Sequence, residues 1–217
     1  MNIEKEGKRP TVKKEIPYPK LIVGIGGSAG ALEAYKVLLN AIPPDIGMAF
    51  VIISHMSPTA HSLLAKILSS YTKMTVKLAS MGMSIRANYV YVIPPNADLF
   101  IENYTFKVIS PRSGRNKQID LFFSSLAEAM GERAIGIVLS GYCNDGTEGC
   151  KHIKLHGGNT FAQDESAEVD SMPLSAQQSG YVDFVLPLDK IPGRLKSIAN
   201  ALTVRHGSLL THHLLKP

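Results

Sequence analysis

The 217-residue sequence has no tryptophan and two cysteines, Cys143 and Cys150. Two thiols build no disulfide framework, and their scarcity fits a reducing compartment, so a cytoplasmic location is expected. No apolar run approaches the roughly 18 residues that a membrane span requires, and membrane insertion is not expected. Residues 1–20, MNIEKEGKRPTVKKEIPYPK, place charges and prolines where a secretory leader would carry an apolar stretch. Internal repeats and low-complexity tracts are missing too. Nor is the body of the chain basic, although the formal net charge is +5. Residues 1–20 hold six Lys/Arg against three Glu, and residues 191–217 hold four Lys/Arg and no acid, which leaves the middle at −2. Nucleic acid is therefore not an expected partner.

What is present is enough apolar material, 45% of residues, for one α/β core and too little for two ordinary domains. LIVGI (21–25), MAFVIIS (48–54) and AIGIVLS (134–140) are short apolar runs of the kind that buried parallel strands show. TVKLA (75–79), YVYVI (89–93), NTFAQ (159–163) and YVDFVLP (181–187) add shorter ones. Helices are predicted over 30–42, after Ser57-Pro58, and over 119–130, 145–156, 171–179 and about 188–201. DLFIE and TFKVIS, parted by Asn103-Tyr104, predict a β-hairpin over 98–109. The alternation predicts a three-layer, doubly wound, mostly parallel sheet with helices on both faces. Residues 1–19 read as a flexible arm, 20–201 as the folded domain, and 202–217 as a tail or linker stub.

The chemistry is concentrated first in GIGGSAGALEA, where the chain is expected to leave its first strand, turn on Gly26 and Gly27, and present Ser28 before a helix. Gly24-x-Gly26-x-x-Ala29 matches the dinucleotide-binding fingerprint in letters. The ribose-binding acid is missing, however: the second strand ends in His55, and Asp45 lies ahead of it. A P-loop would need a lysine beside the serine, and none follows until Lys36. The same letters spell Gly26-x-Ser28-x-Gly30, the small-residue frame of a nucleophile elbow. A nucleophilic serine needs a base, and the base an orienting carboxylate. Open parallel sheets gather reacting groups at the carboxyl ends of their strands. Ser28, His55 and Asp145 stand after three separate apolar strands, so they form a candidate triad. Their order, Ser…His…Asp, excludes an ordinary α/β-hydrolase, which runs Ser…Asp…His. The plainer alternatives are that Ser28 and Asp145 are helix N-caps and that His55 is a turn residue.

Together, GIGGSAGALEA, VIISHMSPTAHSLLAKIL, YVYVIPPNADL, IDLFFSSLAEA, GERAIGIVLSGYCNDGTEG, GGNTFAQDESAEVDSMPLSA and GYVDFVLP resemble the chemotaxis protein-glutamate methylesterases of the CheB type over about residues 20–200. VYVIPPNADL and GERAIGIVLSG look closest to the methylesterase part of fused methylesterase–methyltransferase proteins. The resemblance implies a cytoplasmic serine hydrolase of chemotaxis signalling. Such enzymes demethylate glutamate γ-methyl esters on the cytoplasmic helices of chemoreceptors, and some also deamidate glutamine. It implies Ser28 as nucleophile, His55 as base and Asp145 as orienting acid, with backbone N–H groups near Ala29 and Tyr142 as oxyanion donors. No metal or organic cofactor is implied. A methyltransferase domain, fused or separate, is an implied partner. The family loop before the aspartate begins Gly-Met-Gly where this sequence has Gly141-Tyr142-Cys143, Ser171 stands for the usual glycine before Met-Pro, and Ala31 for the one after GGSAG. The receiver domain that switches many members on is not found ahead of residue 20, so activity without a phosphodonor is expected.

Tyr142-Cys143 is also the feature behind a rival reading, a methylesterase-like module without turnover that docks on receptors or a methyltransferase. Cys150, His152 and His156 lie close enough in sequence to suggest zinc, but no second ligand pair at zinc-like spacing accompanies them, and a solvated helix face is expected instead. Cys143 could be imagined as a redox control, and Arg112 and Arg115 as steering charges for an acidic surface. Loop residues of these types more often just solvate.

Overall fold

In the computed structural model, which describes residues 18–55 and 63–213, β1 (Ile22–Gly27), β2 (Ala49–Ser54), β3 (Thr75–Leu78), β4 (Tyr89–Val92), β7 (Ala134–Val138), β8 (Asn159–Gln163) and β9 (Phe184–Leu186) form one sheet. Its order is β3-β4-β2-β1-β7-β8-β9, and every neighbouring pair is parallel. The central strands are buried along their length because both faces are covered. On one face α1 (Ala31–Ala41), α2 (Leu64–Leu68) and α6 (Ile191–His213) enclose Val23, Ile25, Phe50 and Ile52; on the other α3 (Gln118–Met130), α4 (Thr147–Leu155) and α5 (Ser171–Gln178) enclose Ile22, Val51 and Ile53. These are the expected three layers. β5 (Asp98–Glu102) and β6 (Thr105–Ile109) make the expected hairpin, with Asn103 and Tyr104 both in the left-handed region that a type I′ turn needs.

The chain builds the sheet outward from β1 in two directions, first to β2 and β4 and then, through α3, to β7 and beyond. The carboxyl ends of β1 and β7 therefore border the point where the order reverses, where open α/β sheets bind ligands. α3 lies close to the strands because the registered pair Gly24 and Gly136 leaves room for the ring of Phe123. A Cβ at either glycine would come within 2.7–2.9 Å of a side-chain carbon of Phe123 or, for Gly136, of Ile153. This seats the first turn of α3 at the carboxyl edge of the sheet.

Boundaries differ from the sequence reading in three places. β1 stays extended through Gly26 and Gly27, where a turn was expected, because both pair in register with β2. The turn falls at Ser28–Gly30 instead, with Gly30 at φ 72°. α6 runs to His213, past the helix end expected near 201 and into the expected tail. Tyr18, assigned to the arm, packs against Tyr104 with the rings tilted and their centroids 4.9 Å apart. The rest of the arm up to residue 17 and the start of the helix after Ser57-Pro58 lie outside the described residues.

Candidate active site

Three strand ends meet through the backbone. The Ser28 N–H donates to the Ser140 carbonyl (2.9 Å), just past β7, and the His55 N–H donates to the Gly27 carbonyl (3.3 Å). Ser140 adds a second tie: its hydroxyl donates to the Ala29 carbonyl (2.8 Å) and accepts the Val169 N–H (2.9 Å). The Ser28 turn is thus fixed on both sides, and its hydroxyl is left over. α1 is capped by Gly30 with no side-chain cap bond, so Ser28 is not the N-cap that the plain reading offered. The Ser28 hydroxyl makes no hydrogen bond to any described residue, His55 included.

His55 Nε2–H donates to Asp145 Oδ2 at 2.6 Å, with the histidine side chain 8% exposed and the carboxylate fully buried. A short bond of this kind between a ring N–H and a buried carboxylate fixes the tautomer: Nε2 carries the proton and Nδ1 the lone pair. Asp145 accepts two further N–H groups, from Ile119 to Oδ2 (3.1 Å) and from Asp120 to Oδ1 (2.9 Å). These are the second and third N–H groups of α3, so Asp145 caps that helix rather than its own. α4 starts behind Gly146 at φ 100°, with no cap from its N-cap residue. Its orphan donors are met by Asp120, whose Oδ1 accepts the Gly146 and Gly149 N–H groups, both at 2.8 Å. Each aspartate caps the helix that carries or follows the other. Burial, with the charge of Asp145 beside it, pushes the Asp120 carboxyl up to about 6. Sequence reading missed Asp120, because an acid in a first helical turn is ordinary and nothing local marks its partner 25 residues on.

The loop between β7 and α4 lies against Ser28. Gly141 donates to the Val169 carbonyl and accepts the Met172 N–H, both at 2.9 Å, and a Cβ on it would lie 3.0 Å from Ser28 Cβ and 2.4 Å from the Met172 methyl. Gly141→Ala should therefore displace the serine and lower turnover by on the order of 10²-fold, the scale of an ångström of misplacement. Steady-state ester hydrolysis by the folded variant checks this. Tyr142 projects outward, 64% exposed, and Cys143 holds φ 71°, a left-handed conformation that a side chain strains. The Ala29 and Tyr142 N–H groups donate to no described residue. Cys150 and the two histidines do not converge: the thiol is buried against α3, while the exposed His156 donates Nδ1–H to the His152 carbonyl (2.8 Å). Arg112 and Arg115 sit on the loop entering α3, the second exposed.

Residues 23–195 match the model of the CheB methylesterase family. A putative protein-glutamate methylesterase/protein-glutamine glutaminase of Leptospira interrogans is 33% identical over 178 residues, covering 80% of this chain and 91% of that protein. A protein-glutamate methylesterase/protein-glutamine glutaminase of Rhizobium meliloti is 34% identical over 194 residues, and there the match covers 88% of this chain but 55% of the relative. The crystal structure of the Thermotoga maritima CheB methylesterase catalytic domain superposes with a TM-score of 0.75 at 30% identity, covering 82% of this chain and 98% of that one. With residues 23–195 matching the family model and the fold shared with a solved catalytic domain, the chain belongs to the CheB methylesterase family.

Proposed function

We propose that the protein is a protein-glutamate methylesterase with a Ser28–His55–Asp145 triad, acting in the cytoplasm on methylated chemoreceptor helices and sharing with its relatives the capacity to deamidate glutamine. The observation that carries this reading is the short His55–Asp145 bond at the switch point of the sheet, beside a serine whose hydroxyl has no structural task. Ser28 Oγ attacks the ester carbonyl and His55 Nδ1 takes its proton. The imidazolium so formed is stabilised through Nε2–H by Asp145 and then protonates the departing methanol. Water, deprotonated by the same nitrogen, cleaves the acyl-enzyme to glutamate and restores Ser28. The bond from Ser28 to His55 forms when substrate closes the site, since catalytic hydrogen bonds often tighten only in the complex.

The unpartnered Ala29 and Tyr142 N–H groups suit the oxyanion, and one such donor is worth about 10²–10³ in rate. Both are backbone groups, so the tyrosine ring and the cysteine thiol have no assigned part. Replacing Tyr142-Cys143 with Met-Gly should preserve or raise turnover and stabilise the fold by about 1 kcal/mol, because glycine relieves the left-handed strain at 143. Methanol release and thermal unfolding of the double variant report both effects. A collapse of activity with the fold intact would bring the hydroxyl or thiol into the chemistry.

Methanol release from a methylated receptor fragment, with fluorophosphonate labelling of Ser28, tests the assignment as a whole. Absence of both would favour a docking module without turnover.

A further inference from the structure

Asp120 meets neither Ser28 nor the imidazole, yet it holds the acid behind the imidazole from two sides. Its N–H donates to Asp145 Oδ1, and its carboxylate accepts the N–H of Gly146, the residue that follows Asp145. We propose, on the triad reading above, that Asp120 is a positioning residue that locks Asp145 against His55 and adds a second negative charge behind it, favouring the imidazolium formed in the reaction.

Four hydrogen bonds make up the lock: the Ile119 and Asp120 N–H groups to Asp145, and the Gly146 and Gly149 N–H groups to Asp120. A helix cap alone would be served as well by asparagine or serine. A partly buried carboxylate set beside another carboxylate instead carries a cost, first of desolvation and then of the Asp145 charge, and both raise its proton affinity. The groups that face Asp120 are Asp145 from the loop before α4, His55 through it from the end of β2, and Cys150 from α4. Burial and then the charge of Asp120 push the Cys150 thiol up, so that it stays neutral. Of these, His55 alone gains a positive charge during turnover. When Asp120 takes a proton, that proton can be donated to Asp145, which then accepts less from His55. Activity should fall on the acid side as Asp120 takes up its proton.

Asp120→Asn separates the two roles. Asparagine keeps the carbonyl that accepts from Gly146 and Gly149, and it fixes in every molecule the pattern that a proton on Asp120 would give. It should fold, since the folded protein already binds a proton at this site more tightly than the usual carboxylate value of 3.8, so stability is lost as pH rises from about 4 to about 6. On methylated receptor fragment, kcat should fall about tenfold, the worth of one unit in a coupled pair, with KM within about twofold. The acid limb of the rate profile should lose the contribution of the proton that Asp120 takes up. Carbon-13 titration of the aspartate carboxyls should show the Asp145 resonance moving through a step near 6 that vanishes in Asp120→Asn, a measurement that needs no turnover. Wild-type kcat and an unchanged acid limb in Asp120→Asn would reduce the residue to a helix cap and overturn the proposal, as would the lack of that carboxyl step. Failure of methylesterase activity in the wild type would instead strike the triad reading, and the carboxyl titration tells the two apart.

Discussion

Ser28→Ala should abolish methanol release from a methylated receptor fragment, by on the order of 10⁵-fold or more, as loss of the nucleophile does where a triad acts as a unit. The variant should remain folded. Ser28 is held by its backbone N–H on the Ser140 carbonyl, and that bond does not involve the side chain. Its hydroxyl has no described hydrogen-bond partner and caps no helix, so its removal should change stability by less than about 0.5 kcal/mol. The variant should also still bind the fragment. Retention of more than a tenth of wild-type turnover, with circular dichroism unchanged, would sink the serine hydrolase assignment.

Asp145→Asn should cost nearly as much, up to about 10⁴ in kcat, and it should cost stability too. The carboxylate accepts three N–H groups, from His55, Ile119 and Asp120. An asparagine has one oxygen to offer. If that oxygen takes the Oδ1 place on the Asp120 N–H, the amide N–H₂ faces the Ile119 N–H and Nε2, which must then give up its proton and accept. The ring takes the other tautomer, and Nδ1, now protonated, cannot act as base. If the oxygen takes the Oδ2 place on His55 and Ile119 instead, the amide N–H₂ confronts the Asp120 N–H and leaves that donor unpaired, at about 1–3 kcal/mol. Either outcome is damaging. Kinetics paired with urea unfolding reads both losses, and an Asp145→Asn variant within tenfold of wild-type turnover would remove Asp145 from the triad.

Much of this was legible from residues alone, for physical reasons. Strands buried on both faces are continuous apolar runs, so β1, β2 and β7 stood out, and the turn residues Asn103-Tyr104 announced the hairpin. The candidate triad followed from where such strands end. The errors have a common source. Gly26 and Gly27 look like a turn locally, but pairing with Ile53 and Ser54 of β2 keeps them extended, which no local pattern reports. Ser28 and Asp145 both look like caps for the helices that follow them. The first is displaced by Gly30, and the second is drawn to α3 because that helix is the crossover between the two halves of the sheet. Asp120 stayed hidden because its role exists only in the relation of two helices that are distant along the chain.

The crossed pair of aspartates also bears on how the domain opens. Fraying the first turn of α3 frees the Ile119 and Asp120 amides from Asp145 and withdraws the Asp120 carboxylate from Gly146 and Gly149, so the start of α4 loses its partners in the same event. Two helix ends that would otherwise breathe independently become one cooperative unit of local unfolding. Its opening releases the imidazole of His55 from its acid. The local stability of this unit, rather than that of the sheet beneath it, then sets the fraction of molecules with an assembled site at any moment.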